Sequence, residues 1–99
     1  MFNHIQIQAI LSDHKKELSA LGVRELSLFG SVARGNNKIN SDIDLLVKFE
    51  KGMKNFDNYM NLSFKLEDLF ESKVDLLTEE SLTENFRNSI LSEAISIEI

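Results

Sequence analysis

The 99-residue sequence contains no cysteine, which excludes disulfides and thiolate metal sites. It has no apolar run long enough to span a bilayer, and its first residues lack the basic flank and apolar segment of a signal peptide. The basic patch that a general nucleic-acid binder carries is not evident, and the net charge is −5. We therefore expect a cytoplasmic protein with no membrane contact and no direct nucleic-acid binding.

Hydrophobic periodicity predicts helices and strands within a single domain at residues 1–99. With 42% hydrophobic residues, the chain can build one modest core. The predicted elements are helices at 3–21 and 56–71, strands at 23–29, 41–47 and 73–77, a polar connector at 36–40, and a last helix that a Ser81–Glu84 capping box opens. In the tail 95–99, isoleucine alternates with polar residues at every second position, which predicts either a short edge strand or an interaction tail.

These elements predict an α/β (α+β) fold, with a mixed sheet of three or four strands and helices packed against it. The first two strands should run antiparallel, because their connector is too short for a crossover helix. The aromatic residues of the 56–71 helix are expected in the core, and the alternative for part of this stripe is a partner surface.

Two carboxylates, Asp42 and Asp44, mark the start of the second predicted strand. Residues at i and i+2 of a strand point to the same face, with Cα atoms roughly 6.5 to 7 Å apart. Both side chains can therefore converge on one or two divalent cations, and oxygen ligands suit Mg²⁺ or Mn²⁺. Without a cation the two carboxylates repel each other.

A Gly30–Ser31 turn follows the first predicted strand directly. Gly30 permits a sharp turn and the close approach of a ligand, while Ser31 and the N–H groups after it can contribute to an anion-binding concavity. The Arg34 guanidinium could pair with phosphate or with a nearby acid. An anion site beside a cation site is what a metal-bound nucleoside triphosphate needs.

A third carboxylate, Asp75, lies inside the short apolar strand at 73–77. A charge in such a strand is costly unless it is paired or binds a metal. Asp75 is therefore the natural third acid of the same site. The alternative is an acid at a strand end that caps a loop.

The motif Gly30-Ser31-x-Ala33-Arg34-Gly35, followed by Ser41-Asp42-x-Asp44-Leu45, resembles the signature of the DNA polymerase β-like nucleotidyltransferase superfamily. The chain is most similar to its minimal nucleotidyltransferases, which act as antitoxins beside HEPN-type ribonuclease toxins. This resemblance covers nearly the whole chain and implies the small nucleotidyltransferase fold. It also implies that the acid on the later strand, Asp75, completes the metal site.

The resemblance implies that AMP is transferred from ATP to a tyrosine of the partner toxin, with which the chain would form a hetero-oligomer. The implied roles are metal binding and catalysis by Asp42, Asp44 and Asp75, and nucleotide binding by Gly30, Ser31, Arg34 and Ser41. Two alternatives are a nucleotide-binding antitoxin that acts by covering its toxin, and a small-molecule nucleotidyltransferase of the aminoglycoside-modifying kind.

Overall fold

Five helices and four strands make up the part of the chain that the computed structural model describes, residues 2–35 and 42–99. In chain order they are α1 (His4–Asp13), α2 (Lys15–Ala20), β1 (Val23–Phe29), α3 (Gly30–Arg34), β2 (Ile43–Phe49), α4 (Phe56–Phe70), β3 (Val74–Thr78), α5 (Glu84–Glu93) and β4 (Ile95–Ile97), with a 3₁₀ turn at Glu79–Ser81. Within these ranges no helix has the length and apolar character needed to cross a membrane. The predicted connector 36–40 and Ser41 lie outside the described residues.

The strands form one mixed sheet in the order β3–β2–β1–β4. β1 runs antiparallel to both β2 and β4, whereas β2 and β3 are parallel and are joined through α4. The predicted fold class and the antiparallel first pair are confirmed. The tail is the edge strand rather than a free segment, because Ile95 and Ile97 pair with Leu28 and Leu26 of β1.

Each face of the sheet carries its own apolar cluster. The larger core joins the face of Leu26, Leu28, Leu45 and Val47 to α1, α2 and α4 through the buried residues Ile7, Leu11, Leu18, Leu62, Leu66 and Phe70. On the opposite face α5 contributes Ile90, which packs with Phe29 and Leu46. Since α5 covers only part of that face, the ends of β1, β2 and β3 beside it remain accessible for a site.

The predicted helix at 3–21 consists of two helices, because the backbone departs from helical geometry at His14. The predicted cap is present at its start: Asn3 and Gln6 exchange reciprocal side-chain to backbone hydrogen bonds. At the break, Nδ1 of His14 lies 2.9 Å from the carbonyl oxygen of Ile10. A ring nitrogen that bonds a carbonyl one turn back competes with the helical ladder.

The last helix begins after Thr83, so the predicted capping box at Ser81 is wrong. Thr83 Oγ1 accepts the hydrogen bond from Phe86 N at 3.3 Å. Ser81 instead belongs to the 3₁₀ turn, where its hydroxyl donates to the Thr78 carbonyl at 2.7 Å. Two hydroxyl residues stand near the start of this helix, and the 3₁₀ turn decides which of them is the cap.

The aromatic stripe of α4 is only partly buried. Phe70 is buried with Leu62 and Leu66, but Phe56 and Phe64 are 76% and 59% exposed. The expectation of a buried aromatic stripe is therefore wrong for these two residues. They lie on the helix face turned away from the sheet.

Candidate active site

Asp44 and Asp75 stand directly opposite each other on the parallel strands β2 and β3. Residues in register share a face of the sheet, and neighbouring strands lie about 4.8 Å apart. Burial raises the pKa of Asp44 from 3.8 to about 6. Repulsion from Asp75 and a hydrogen bond that protonated Asp44 donates to Asp75 add to the rise, followed by repulsion from Asp42. Arg34 opposes this shift. The three carboxylates thus form one electrostatic cluster, in which Asp75 outweighs Asp42 in its effect on Asp44.

Lys73 places a positive charge next to this cluster. Its Nζ atom lies 3.7 Å from Asp42 Oδ2 and 4.0 Å from Asp75 Oδ1. The Lys73 side chain is 70% exposed, so both contacts are long and screened by solvent. Sequence reasoning missed this contact, although Lys73 precedes Asp75 by two residues and therefore points to the same face.

The arrangement fits a divalent cation that a substrate helps to hold. Among the described residues, no three His, Cys, Asp or Glu side chains come close enough to hold a metal ion by themselves. Mg²⁺ is commonly bound by one or two carboxylates together with waters and substrate phosphates, without an all-protein cage. A cation would also relieve the repulsion that raises the pKa of Asp44. The ligand roles of Asp42, Asp44 and Asp75 remain predictions.

Gly30 brings the polypeptide backbone against the Asp44 carboxylate. It follows Phe29, which pairs with Asp44 across β1 and β2, and its φ is +74°. A Cβ atom at this position would overlap Asp44 Oδ2. Gly30 and Ser31 begin the five-residue helix α3, which sequence reasoning expected as a turn. Glycine is required here both for the left-handed backbone and for the approach to Asp44.

Arg34 pairs with an acid, Glu93 at the end of α5. Its Nη1 atom donates to both carboxylate oxygens of Glu93, at 3.1 Å and 3.0 Å. Oε1 of Glu93 also accepts the backbone N–H of Gly30 at 3.1 Å. Of the two pairings left open for Arg34, phosphate or a nearby acid, the structure contains the acid. No sequence signal pointed to Glu93, which lies 63 residues from Gly30.

An open cavity of about 390 Å³ adjoins the carboxylates, and most of its lining residues belong to β3, α4 and α5. Its lining combines Asp44 and Asp75 with apolar and aromatic side chains; the remaining lining residues are Phe29, Tyr59, Ser63, Val74, Leu76, Leu77 and Phe86. The Tyr59 hydroxyl donates to the Leu76 carbonyl at 2.5 Å and so covers part of the outer edge of β3. Of the predicted nucleotide-binding residues that the structure describes, none lines this cavity.

Residues 11–97 match the nucleotidyltransferase domain family. The chain belongs to this family. It is 39% identical over 93 residues to the protein adenylyltransferase MntA of Thermococcus cleftensis, covering 93% of each protein. It is also 40% identical over 76 residues to a chain assigned as a protein adenylyltransferase in Methanocaldococcus jannaschii, covering 77% of this chain and 81% of that one. The expected enzyme class, a nucleotidyltransferase, is confirmed.

Solved structures agree with this assignment. A structure described as a minimal nucleotidyltransferase superposes with a TM-score of 0.81 at 33% identity, covering 95% of both chains. A toxin–antitoxin structure with AMP-PNP gives a TM-score of 0.70 at 24% identity, covering 98% of this chain and 73% of that one. A complex of MNT antitoxin with tri-AMPylated HEPN toxin from Shewanella oneidensis gives 0.64 at 19% identity, covering 92% and 71%. The last two show a shared fold.

Proposed function

We propose that this nucleotidyltransferase transfers AMP from ATP to a tyrosine hydroxyl of a HEPN-type toxin, and that the modification silences the toxin's ribonuclease activity. The observation that carries the proposal is the opposition of Asp44 and Asp75 beside the Gly30 backbone. The similarity to protein adenylyltransferases and to toxin–antitoxin complexes supports the choice of donor and acceptor. ATP and a ribonuclease target favour the cytoplasm as the place of action.

The proposed roles follow the positions of the residues around Asp44. Asp42, Asp44 and Asp75 would hold Mg²⁺ or Mn²⁺, and the nucleotide would be bound by Gly30, Ser31, Arg34 and Ser41. The Gly30 side of Asp44 offers backbone next to a carboxylate, and this combination suits the phosphates of a metal-bound nucleotide. When bound, the cation supplies charge neutralisation at the phosphates.

The transfer forms one bond and breaks one. The acceptor oxygen attacks the α-phosphorus, the bond between the α-phosphorus and its bridging oxygen to the β-phosphorus breaks, and pyrophosphate leaves. The acceptor's proton passes to Asp75, which lies on the far side of Asp44 from Gly30. This placement keeps the leaving group and the attacking hydroxyl on opposite sides, as in-line displacement requires.

The cavity beside Asp75 suits the acceptor. Its walls include Tyr59 and Phe86, and the Phe86 side chain is 51% exposed in the chain alone. A phenol ring can pack against such aromatic walls, and its hydroxyl would then lie near the Asp44 and Asp75 carboxylates of the same lining. A tyrosine carried on a partner protein would enter from the open side.

The test is the mass of the toxin after incubation with this chain, Mg²⁺ and ATP. We expect a gain of one or more AMP units that survives denaturation, together with loss of ribonuclease activity. The double variant Asp42→Asn/Asp44→Asn should abolish the gain, because it removes the carboxylate charge that the cation needs. Its stability without metal should equal or exceed that of the wild type, since like charges are removed. Asp13→Asn removes an exposed carboxylate elsewhere and should transfer AMP normally.

The alternatives predict different results in the same assay. Full neutralisation of the toxin without a mass gain, under conditions where ATP binds, would support an antitoxin that acts by covering its toxin. Transfer to an aminoglycoside in preference to the toxin would support a small-molecule enzyme. Wild-type rates in the double variant would overturn the assignment of the carboxylates.

A further inference from the structure

The hydrogen bonds of Glu93 end on the turn that we assign to phosphate binding. Glu93 is the last residue of α5, and Gly30 is the first residue of α3. One oxygen of the carboxylate accepts from Gly30 N at 3.1 Å, and both oxygens accept from Arg34 Nη1. The end of α5 is thereby fastened to the junction between β1 and α3.

We propose that Glu93 is a positioning residue for nucleotide binding. It holds the Gly30 peptide in the orientation that the triphosphate requires, while Arg34 offsets the negative charge of the Glu93 carboxylate. The inference rests on the proposed function, because it assigns the phosphates to the Gly30 turn. Glu93 acts through the Gly30 backbone and not by contact with the carboxylate cluster.

Glu93 adds a directional restraint at Gly30, beside the packing of Val32 in the core. A glycine explores both signs of φ freely, and here it connects a strand to a five-residue helix that is too short to be stable alone. Within α3, the buried residue is Val32. A hydrogen bond from a backbone N–H to an ionised carboxylate is stronger than a neutral one. Glu93 therefore orients the peptide unit that lies against Asp44.

The ion pair explains how an acid can stand next to a phosphate site. A bare carboxylate would repel a triphosphate, but Arg34 offsets the Glu93 charge. The hydrogen bond from Arg34, and then that from Gly30, lower the pKa of Glu93 and so favour its ionised form. The two side chains are 49% and 29% exposed, and exposed ion pairs contribute little to stability. Orientation of the turn is therefore a better explanation for the contact than stabilisation of the fold.

Direct binding of Mg²⁺–AMP-PNP to the isolated chain, measured by calorimetry without toxin, tests the proposal. Glu93→Ala removes the acceptor for Gly30 N–H and should weaken binding by about tenfold or more. Glu93→Gln keeps an amide oxygen for Gly30 N–H and loses only the ion pair, so binding should weaken by about threefold or less. Glu84→Gln removes an equal charge from the other end of α5 and should bind as the wild type does.

Three results would overturn the proposal. Equal affinity of Glu93→Ala and wild type would mean that the turn needs no support, and tighter binding would mean that Glu93 competes with phosphate. Equal weakening in Glu93→Gln and Glu93→Ala would assign the effect to the ion pair alone. If Glu93→Ala fails to fold, Glu93→Asp replaces it, because its shorter carboxylate retreats from Gly30 and should bind more weakly than Glu93→Gln.

The proposed function can fail separately. A wild-type chain that binds AMP-PNP but leaves the toxin unmodified would overturn AMP transfer, while the comparison of Glu93 variants would stand. In the folded wild type, the amide signal of Gly30 in an NMR spectrum should shift on nucleotide addition, and Glu93→Ala should move that signal before any nucleotide is added.

Discussion

The two sides of Asp44 are built in different ways. On the β1 side, a glycine backbone lies against the carboxylate and is itself held by Glu93 and Arg34. On the β3 side, Asp75 stands at a sheet edge and faces an open cavity with an exposed phenylalanine, Phe86. A tight, hydrogen-bonded side suits a small ligand of constant shape, and an open side suits a group that a large partner presents. The comparison assigns nucleotide binding to one side and acceptor chemistry to the other.

Removing Asp75 gives the largest effect that separates the two sides. Asp75→Asn should slow single-turnover transfer by about 10² to 10⁴, the usual contribution of a general base. A phenol acceptor should place the effect toward the lower end, because its pKa of about 10 makes its proton easier to remove. Much of the affinity for Mg²⁺–AMP-PNP should remain, since Asp42 and Asp44 can still hold a metal-bound nucleotide, so the loss of rate should exceed the loss of affinity.

Equal losses of rate and affinity in Asp75→Asn would break the comparison, because Asp75 would then serve metal or nucleotide binding alone and another group would accept the proton. Unchanged transfer would make Asp75 a structural acid. The double variant Asp42→Asn/Asp44→Asn provides the reference for full loss of function.

Crowding the tight side should come next in size. Gly30→Ala places a Cβ atom on Asp44 Oδ2 and forces alanine into a left-handed conformation. We expect transfer to fall by about 10²-fold, as when reacting groups are displaced by roughly 1 Å, and stability to fall by about 1 to 3 kcal/mol. Both quantities are measured on the same preparation, by single-turnover transfer and urea unfolding.

Gly52→Ala is the matched control for this variant. Gly52 also has a positive φ, of +80°, but a Cβ there would meet nothing within 4 Å. It should therefore reproduce the backbone strain of Gly30→Ala and leave transfer intact. If both variants retain wild-type rates, the close approach at Gly30 has no part in the chemistry.

The sequence predicts the two sides of the site unequally. The sequence identifies Asp44 and Asp75 as site residues because an acid within an apolar strand is unusual. It identifies Gly30 because this residue belongs to a local motif. Glu93 is not visible, because its partners lie 63 and 59 residues away and only the packing of α5 brings them together. The five-residue helix α3 is likewise below the length that periodicity detects.

The apolar surface shows the same limit. The wide stripe of α4 predicts an amphipathic helix correctly, but it does not say which part of the stripe meets the sheet. Leu62, Leu66 and Phe70 are buried, and Phe56 and Phe64 are exposed. The local sequence pattern thus predicts the helix itself. The way the helix packs on the sheet decides which of its aromatic side chains are exposed to solvent.

A smaller effect tests the open side. Phe86→Ala removes one wall of the cavity, and we expect the KM for the toxin to rise by about fivefold with the KM for ATP unchanged. Phe64→Ala removes a similarly exposed ring that does not line the cavity and serves as control. A rise in the KM for ATP instead would place the nucleotide, and not the acceptor, in this cavity.

The smallest effect concerns Asp44 itself, which both sides influence. Its pKa is raised from 3.8 to about 6 by burial first and by Asp75 second. Because the folded state then holds this proton more tightly than the unfolded state, Asp44 stabilises the fold at low pH and loses that contribution as pH rises from about 4 through 6. Without metal, Asp44→Asn should therefore gain stability over the wild type with rising pH, by about 1 kcal/mol after allowance for solvent screening. Urea unfolding in EDTA at pH 4.5, 6 and 8 measures this difference, with Asp13→Asn as the exposed control.

Asp75→Asn should shrink the pH-dependent difference between wild type and Asp44→Asn but not remove it, since burial is the larger cause of the raised pKa. A difference that vanishes entirely in the Asp75→Asn background would mean that burial contributes nothing to the raised pKa of Asp44. Parallel pH curves for wild type and Asp44→Asn would mean that the pKa of Asp44 is not raised in the folded state.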